Sequence, residues 1–175
     1  SVKSNVYRSQ ARGGRGVIAA ELREDDIVDT MIHTSAHQNL LFFTNRGQVH
    51  RIKAHQIPVQ NRTGKGVVAQ AVLPLEPDER IQAVIDTKDF SEAKYLTVIT
   101  KLGVTKKTAF AEYDSRQASI IAIRLQEDDE VVAVRATSGE NEVLLFTGDG
   151  MGIRFAESDL RPMGRATQGV RGIRL

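Results

Sequence analysis

Leu40-Leu-Phe-Phe-Thr44-Asn-Arg-Gly47-Gln-Val-His-Arg51 is an apolar run, a tight turn and a basic strand in immediate succession. The pattern returns as Tyr95-Leu-Thr-Val-Ile-Thr100-Lys-Leu-Gly103-Val-Thr-Lys-Lys107 and as Val143-Leu-Leu-Phe-Thr147-Gly-Asp-Gly150-Met-Gly-Ile-Arg154. All three carry Thr-x-x-Gly-x-x-x-(Arg/Lys). Short runs rich in Val, Ile, Leu, Phe and Thr, bounded by Gly, Asn or Asp, read as strands. Asn45-Arg46-Gly47 and Gly148-Asp149-Gly150 read as hairpin loops in which glycine supplies a positive φ.

The segments between the hairpins also repeat. Gly16-Val-Ile-Ala-Ala-Glu-Leu22 corresponds to Ser119-Ile-Ile-Ala-Ile-Arg-Leu125 and to Gly169-Val-Arg-Gly-Ile-Arg-Leu175. Gly66-Val-Val-Ala is a further version, which reaches Leu75-Glu-Pro-Asp-Glu-Arg-Ile81 after a short insertion. The period is about fifty residues, a length associated with propeller-type arrays. Strands are expected almost throughout, Gln117 to Glu130 included. The fold class is all-β: a propeller-like array of about four units or part-units, forming a single domain or partial domain over residues 1–175.

The net charge of +2 conceals a segregated pattern. Ser1 to Ala20, Asn45 to Gly66 and Leu160 to Leu175 contain Lys and Arg and no acid, whereas acids gather at Glu24-Asp25-Asp26, Glu76 to Glu79 and Glu127 to Glu130. Repeated at equivalent positions, such segments make a positive stripe, the footprint of a polyanion ligand. The acidic tract recurs from unit to unit, as the pairs Asp25-Asp26 and Asp128-Asp129 and as Asp78-Glu79, which favours structural turns over a divalent-ion site. Gln10-Ala-Arg-Gly-Gly-Arg-Gly16 combines three glycines, which let the backbone approach a ligand closely, with two guanidiniums suited to phosphate. Asn61-Arg-Thr-Gly-Lys-Gly66 has the same design, and Arg165 to Gly172 a reduced version of it. Ser115-Arg-Gln-Ala-Ser119 keeps one arginine and no glycine.

Gln10 to Gly16 resembles the gyrase-A box, Gln-Arg-Arg-Gly-Gly-(Lys/Arg)-Gly, and departs from it at Ala11, where a basic residue is usual. The likeness extends through Asp25-Asp-Ile27, Phe43 to Gly47, Leu75 to Ile81, Gly103 to Lys107 and Gly169 to Arg174, so the chain resembles the C-terminal DNA-wrapping domain of bacterial DNA gyrase A proteins. The resemblance implies a β-pinwheel, a propeller-like ring of blades with exchanged strands, whose basic rim bends duplex DNA. It implies that the box is needed for wrapping with a positive hand. The partners it implies are double-stranded DNA, the catalytic remainder of the gyrase A polypeptide and the gyrase B polypeptide, in the cytoplasm. That domain usually has about six blades and this chain holds about half as many, so an incomplete ring is expected. The expected DNA-binding set is Gln10, Arg12, Gly13, Gly14, Arg15, Gly16, Arg46, Arg51, Arg62, Lys65, Lys106, Lys107, Arg154, Arg165 and Arg171.

Enzymatic readings find little support. No phosphate-loop motif Gly-x-x-x-x-Gly-Lys-(Ser/Thr) is present. His33, His37, His50 and His55 have no cysteine partners and read as loop or surface residues. Tyr7, Tyr95 and Tyr113 lack a catalytic surrounding, and the resemblance implies that the strand-cleaving tyrosine lies in another domain. No catalytic residue, metal or cofactor is therefore expected. Cysteine is absent, which suits a cytosolic protein, and no apolar run is long enough to span a membrane. Two other readings remain: the equivalent domain of topoisomerase IV, and a propeller-type protein-interaction module with no nucleic-acid role.

Overall fold

The computed structural model describes residues 1–22, 24 and 27–175. Its strands are β1 (Asn39–Thr44), β2 (Gln48–Lys53), β3 (Ile81–Thr87), β4 (Tyr95–Thr100), β5 (Val104–Ala109), β6 (Ser119–Ile121), β7 (Val131–Thr137), β8 (Glu142–Phe146), β9 (Gly152–Ala156) and β10 (Val170–Arg171). The three expected hairpins are β1–β2, β4–β5 and β8–β9, all antiparallel. Each turns through a glycine with positive φ, at Gly47 (72°), Gly103 (76°) and Gly150 (81°), a conformation costly for any residue with a Cβ.

Two hairpins grow into four-stranded blades, in the orders β3-β1-β2-β6 and β10-β5-β4-β7. One added strand is local: β3 follows β2 and pairs with β1, and β7 follows β5 and pairs with β4, with a bulge at the same place in both. The other is exchanged. β6 comes from the segment after the second hairpin yet completes the first blade, and β10 likewise follows the third hairpin and completes the second. The amides of Ala122 and Ile123 donate to the Gly47 carbonyl at 2.8 and 3.2 Å, and those of Gly172 and Ile173 donate to Gly103 at 2.8 and 3.1 Å. This approach leaves no room for a side chain: a Cβ at Gly47 would meet the Ile123 carbonyl at 2.5 Å.

The exchange welds the two blades into one core. Leu41, Phe43 and Val49 of the first pack with Leu96, Val98, Val131 and Val134 of the second. Tyr113 meets Phe43 edge-on at 5.6 Å between ring centroids, and β3 lies against β7. The third hairpin is a two-stranded sheet whose Leu144 and Phe146 are exposed.

The expectation of strands almost throughout fails in several places. Gly16 to Leu22 and Gly66 to Ala69 occupy the repeat positions of β6 and β10 but form no strand, and the insertion after Val68 becomes a 3-10 turn, Ala69–Ala71. An exchanged strand needs the hairpin of the preceding unit, and neither segment has one among the described residues. Gln117 to Glu130 is a strand only over β6 and then turns. In that turn Asp129 accepts the amides of Leu102 and Glu130 at 2.8 and 2.9 Å, a structural use of the acid. The corresponding Asp25 and Asp26 lie outside the described residues.

Candidate nucleic-acid interface

The two glycine-rich turns share one geometry. The Gly14 amide donates to the Ala11 carbonyl at 2.9 Å, and the Gly64 amide to Asn61 at 2.8 Å. A Cβ would meet that same carbonyl at 2.9 Å in the first turn and 3.0 Å in the second, so a side chain at either glycine would disturb the turn. Gln10 and Gln60 flank the turns identically, each with its amide oxygen beside the glycine. Gln10, Arg12, Gly13, Gly14, Arg15 and Gly16 are all exposed.

Arg62 and Arg165, which share the repeat position of Arg12, have a common structural duty. Arg62 Nη1 donates to the Ile18 carbonyl at 3.1 Å, and Arg165 Nη1 to the Ile121 carbonyl at 2.9 Å. Ile18 and Ile121 correspond in the repeat, so each arginine clips the preceding unit's segment to its own turn. A guanidinium has five donors, which leaves several for phosphate. Arg12, Arg15, Lys65 and Arg171 are exposed and form no ion pair with the described residues. Arg46 pairs with Asp78 at 3.5 Å, Arg51 with Asp114 at 3.4 Å and Arg154 with Glu142 at 2.7 Å. Ion pairs this open to solvent contribute about 0.2–1 kcal/mol, weak enough to be exchanged for a phosphate.

Lys106 and Lys107 do not belong to the exposed set. Both are buried on β5, which has a neighbouring strand on each side. The Lys106 ammonium donates to the carbonyls of Ala122 (2.6 Å), Gly164 (3.1 Å), Arg165 and Thr167 (3.5 Å). Burial pushes its pKa down to about 8, opposed by Glu112 and reinforced by Arg165. Lys107 donates to the Glu157 carbonyl at 2.9 Å and stands 4.8 Å from the centre of the Tyr95 ring. These lysines bind backbone inside the protein and are unavailable to a polyanion outside it.

His50 also departs from its expected place. It is buried on β2, with Nδ1 2.7 Å from Ser119 Oγ and Nε2 3.1 Å from Glu79 Oε1, and so ties β2, β6 and the turn before β3 together. Burial pushes the Glu79 carboxyl up. Hydrogen bonds from Thr44, the Glu76 amide and His50 outweigh that effect and hold it below its usual value. The expected set omits Lys3, which lines an open cleft with Gln60, Arg62 and Gly64. Its place in the acid-free stretch Ser1 to Ala20 was the available signal.

A family model described as DNA gyrase C-terminal domain, beta-propeller, matches residues 1–35, 38–88, 94–138 and 141–175, one match to each repeat unit. The chain belongs to this family. The DNA gyrase A protein of Clostridium acetobutylicum is 46% identical over 172 residues, covering 98% of this chain and 21% of that protein. Its counterpart from Mycolicibacterium smegmatis is 44% identical over 175 residues, again 98% and 21%. The chain thus spans about a fifth of the length of these gyrase A relatives. Among solved structures, the C-terminal domain of a DNA topoisomerase IV superposes with a TM-score of 0.84 at 30% identity, over 90% of this chain and 49% of that one. A DNA gyrase A C-terminal domain superposes at 0.65 with 24% identity, over 98% and 55%, a likeness of fold. Among the described residues no helix is long and apolar enough to cross a membrane.

Proposed function

We propose that this gyrase-family segment binds duplex DNA without sequence preference and bends it along the basic turns and hairpin strands at the blade edges. The observation that carries the reading is the recurrence of one glycine-arginine turn at equivalent positions, fully exposed at Gln10 to Gly16 and half-exposed at Arg62 and Arg165, with no acid within the turns' own sequence. In each turn the glycines bring the backbone close to a phosphate, and the arginines supply bidentate charge. The contact set is Gln10, Arg12, Gly13, Gly14, Arg15, Gly16, Arg46, Arg51, Arg62, Lys65, Arg154, Arg165 and Arg171. Bending a 20–30 base-pair site costs about 1–6 kcal/mol, so several turns must act together. Within a whole gyrase, alongside the rest of the gyrase A polypeptide and the gyrase B polypeptide in the cytoplasm, the segment supports supercoiling by presenting wrapped DNA and is not itself catalytic.

A second reading, the equivalent domain of topoisomerase IV, is favoured by the TM-score of 0.84. Gly13, Gly14 and Gly16 and the gyrase A relatives favour gyrase. Anisotropy titrations of a labelled duplex at increasing salt test the contact set. Log affinity is expected to fall with log salt at a slope of about −0.9 per phosphate neutralised. Substituting Arg12 and Arg15 by Ala should make that slope shallower by about 0.9 per residue. Absence of binding at low salt, or an unchanged slope in the variant, would reject the proposal.

A further inference from the structure

Lys106 lies buried behind the third basic turn, Gly164 to Gly169, and its bonds decide which way that turn's peptides point. The ammonium donates to the carbonyls of Gly164 (3.1 Å), Arg165 and Thr167 (3.5 Å), and to Ala122 of the exchanged segment (2.6 Å). The Arg124 amide donates to the same Thr167 carbonyl at 3.0 Å. In a trans peptide the carbonyl and the next residue's N–H point in opposite directions. With the Arg165 and Thr167 carbonyls turned towards Lys106, the amides of Ala166 and Gln168 are turned away from it. Both residues are exposed, and neither amide has a hydrogen-bond partner among the described residues. The Arg165 amide, opposite the Gly164 carbonyl, is held by Glu112 at 3.1 Å.

The same strand position in the first blade is His50, and the turn it faces is shorter. Eight residues separate Leu160 from Gly169, whereas five separate Tyr113 from Ser119 at the equivalent positions. His50 meets that shortened turn only at the Ser119 hydroxyl, 2.7 Å away. The long cationic side chain therefore accompanies the full-length turn, the one with an arginine at the position of Arg12.

We infer that Lys106 is a positioning residue: by drawing the turn's carbonyls inward it presents the Ala166 and Gln168 amides, alongside Arg165, as a backbone cradle for one duplex phosphate. The inference rests on the duplex-binding reading above. Successive outward N–H groups make an anion-binding concavity, and the ammonium behind them adds a positive charge that a bound phosphate feels. The charged groups that act on Lys106 are Glu112, of the 3-10 turn Phe110–Tyr113, and Arg165. Its neighbour across the sheet is Val98 of β4, Gly169 lies against its Cβ, and Arg124 of the exchanged segment is exposed. Tyr113, pushed up to about 12 by burial, stays uncharged near neutrality. Burial lowers the Lys106 pKa to about 8, against Glu112 and with Arg165. A phosphate nearby favours the charged form, so binding weakens as pH rises above that value.

Nitrogen-15 NMR of the labelled chain, titrated with a short duplex at low salt, tests the inference together with anisotropy titrations. In the unsubstituted chain the Ala166 and Gln168 amide resonances should shift on binding, and affinity should fall several-fold between pH 7 and pH 9.5. Lys106→Met, assayed well below its melting temperature, should bind several-fold more weakly at pH 7 and lack that component of the pH profile. Arg165→Ala should weaken the unsubstituted chain several-fold and the Lys106→Met chain much less, because the turn is no longer held. A duplex that shifts the Arg12 and Arg15 resonances and leaves Ala166 and Gln168 unmoved would overturn the inference. So would equal affinity or identical pH profiles in the two chains. Each of these results leaves the duplex-binding reading standing, whereas a duplex that shifts no resonance rejects both.

Discussion

Phe43 and Phe146 occupy the same position of the repeat, the fifth residue of β1 and of β8, and their surroundings are opposite. Phe43 is 1% exposed and Phe146 72%. Leu41 and Leu144 differ in the same way, 1% against 57%. The hairpins themselves are alike in turn, register and apolar content. What differs is whether strands from other segments have arrived: β3 and β6 flank the first hairpin, and neither edge of the third has a neighbour among the described residues. In this array a hairpin's apolar residues form a core only when a local strand and an exchanged strand flank it. Burial is therefore a property of the assembled units and not of the repeat sequence, as expected for repeat architectures.

The largest test of that contrast is truncation of the paired phenylalanines. Phe43→Ala should cost about 3–5 kcal/mol in denaturant unfolding, the range for a buried phenylalanine. Phe146→Ala should stay within about 0.5 kcal/mol, as for an exposed side chain. Equal losses would break the comparison. The next largest concerns His50, Lys106 and Ile153, which also share a position. Lys106→Met strips the ammonium from its carbonyl partners and should cost about 2–3 kcal/mol, whereas Ile153→Met should leave stability nearly unchanged by the same measurement.

Glycine substitutions isolate the exchange itself. Alanine at Gly47 or at Gly150 costs about 1–2 kcal/mol for positive φ. Only at Gly47 does the added Cβ also collide with a carbonyl of the exchanged segment, whereas nothing lies within 4 Å of the one at Gly150. Thermal melts of both variants should therefore rank Gly47→Ala clearly below Gly150→Ala.

A further contrast is a pH dependence confined to the complete blades. The folded-state pKa of Lys106 is about 8 against an ordinary 10.5. The folded chain therefore binds fewer protons than the unfolded chain between those values, and this residue's contribution makes stability rise with pH across the window. Burial raises Tyr113 from 10.0 to about 12, so the folded chain keeps that proton longer and stability falls with pH above 10. Denaturant midpoints measured from pH 7 to pH 11 should show both slopes, and Lys106→Met should remove the first alone.

The hairpins were legible in the sequence because their determinants are local: a turn glycine, β-branched and aromatic runs, and a fixed threonine. The family resemblance implies exchanged strands, but which segments exchange is not legible, since Ser119–Ile121 and Gly66 to Ala69 look equivalent and differ only in whether a partner hairpin is present. The glycine-arginine turns are legible as repeats, and Gly14 and Gly64 share one geometry. Lys106 and Lys107 were misjudged for a physical reason. A Lys-Lys pair on a strand resembles a solvated face, but β5 is interior to its sheet and the exchanged segment roofs Lys106 with carbonyls. His50 was misjudged in the same way, because its partners Ser119 and Glu79 come from distant segments.

The central functional claim is that the exposed turns carry a bent duplex with a defined hand. Ligation of a nicked circular DNA in the presence of the chain, followed by topoisomer analysis, tests it most directly. A positive shift in linking number, lost on replacing Arg12 and Arg15 by Ala, is the expected result. Unchanged linking number under conditions where gel retardation shows the DNA to be bound would contradict it.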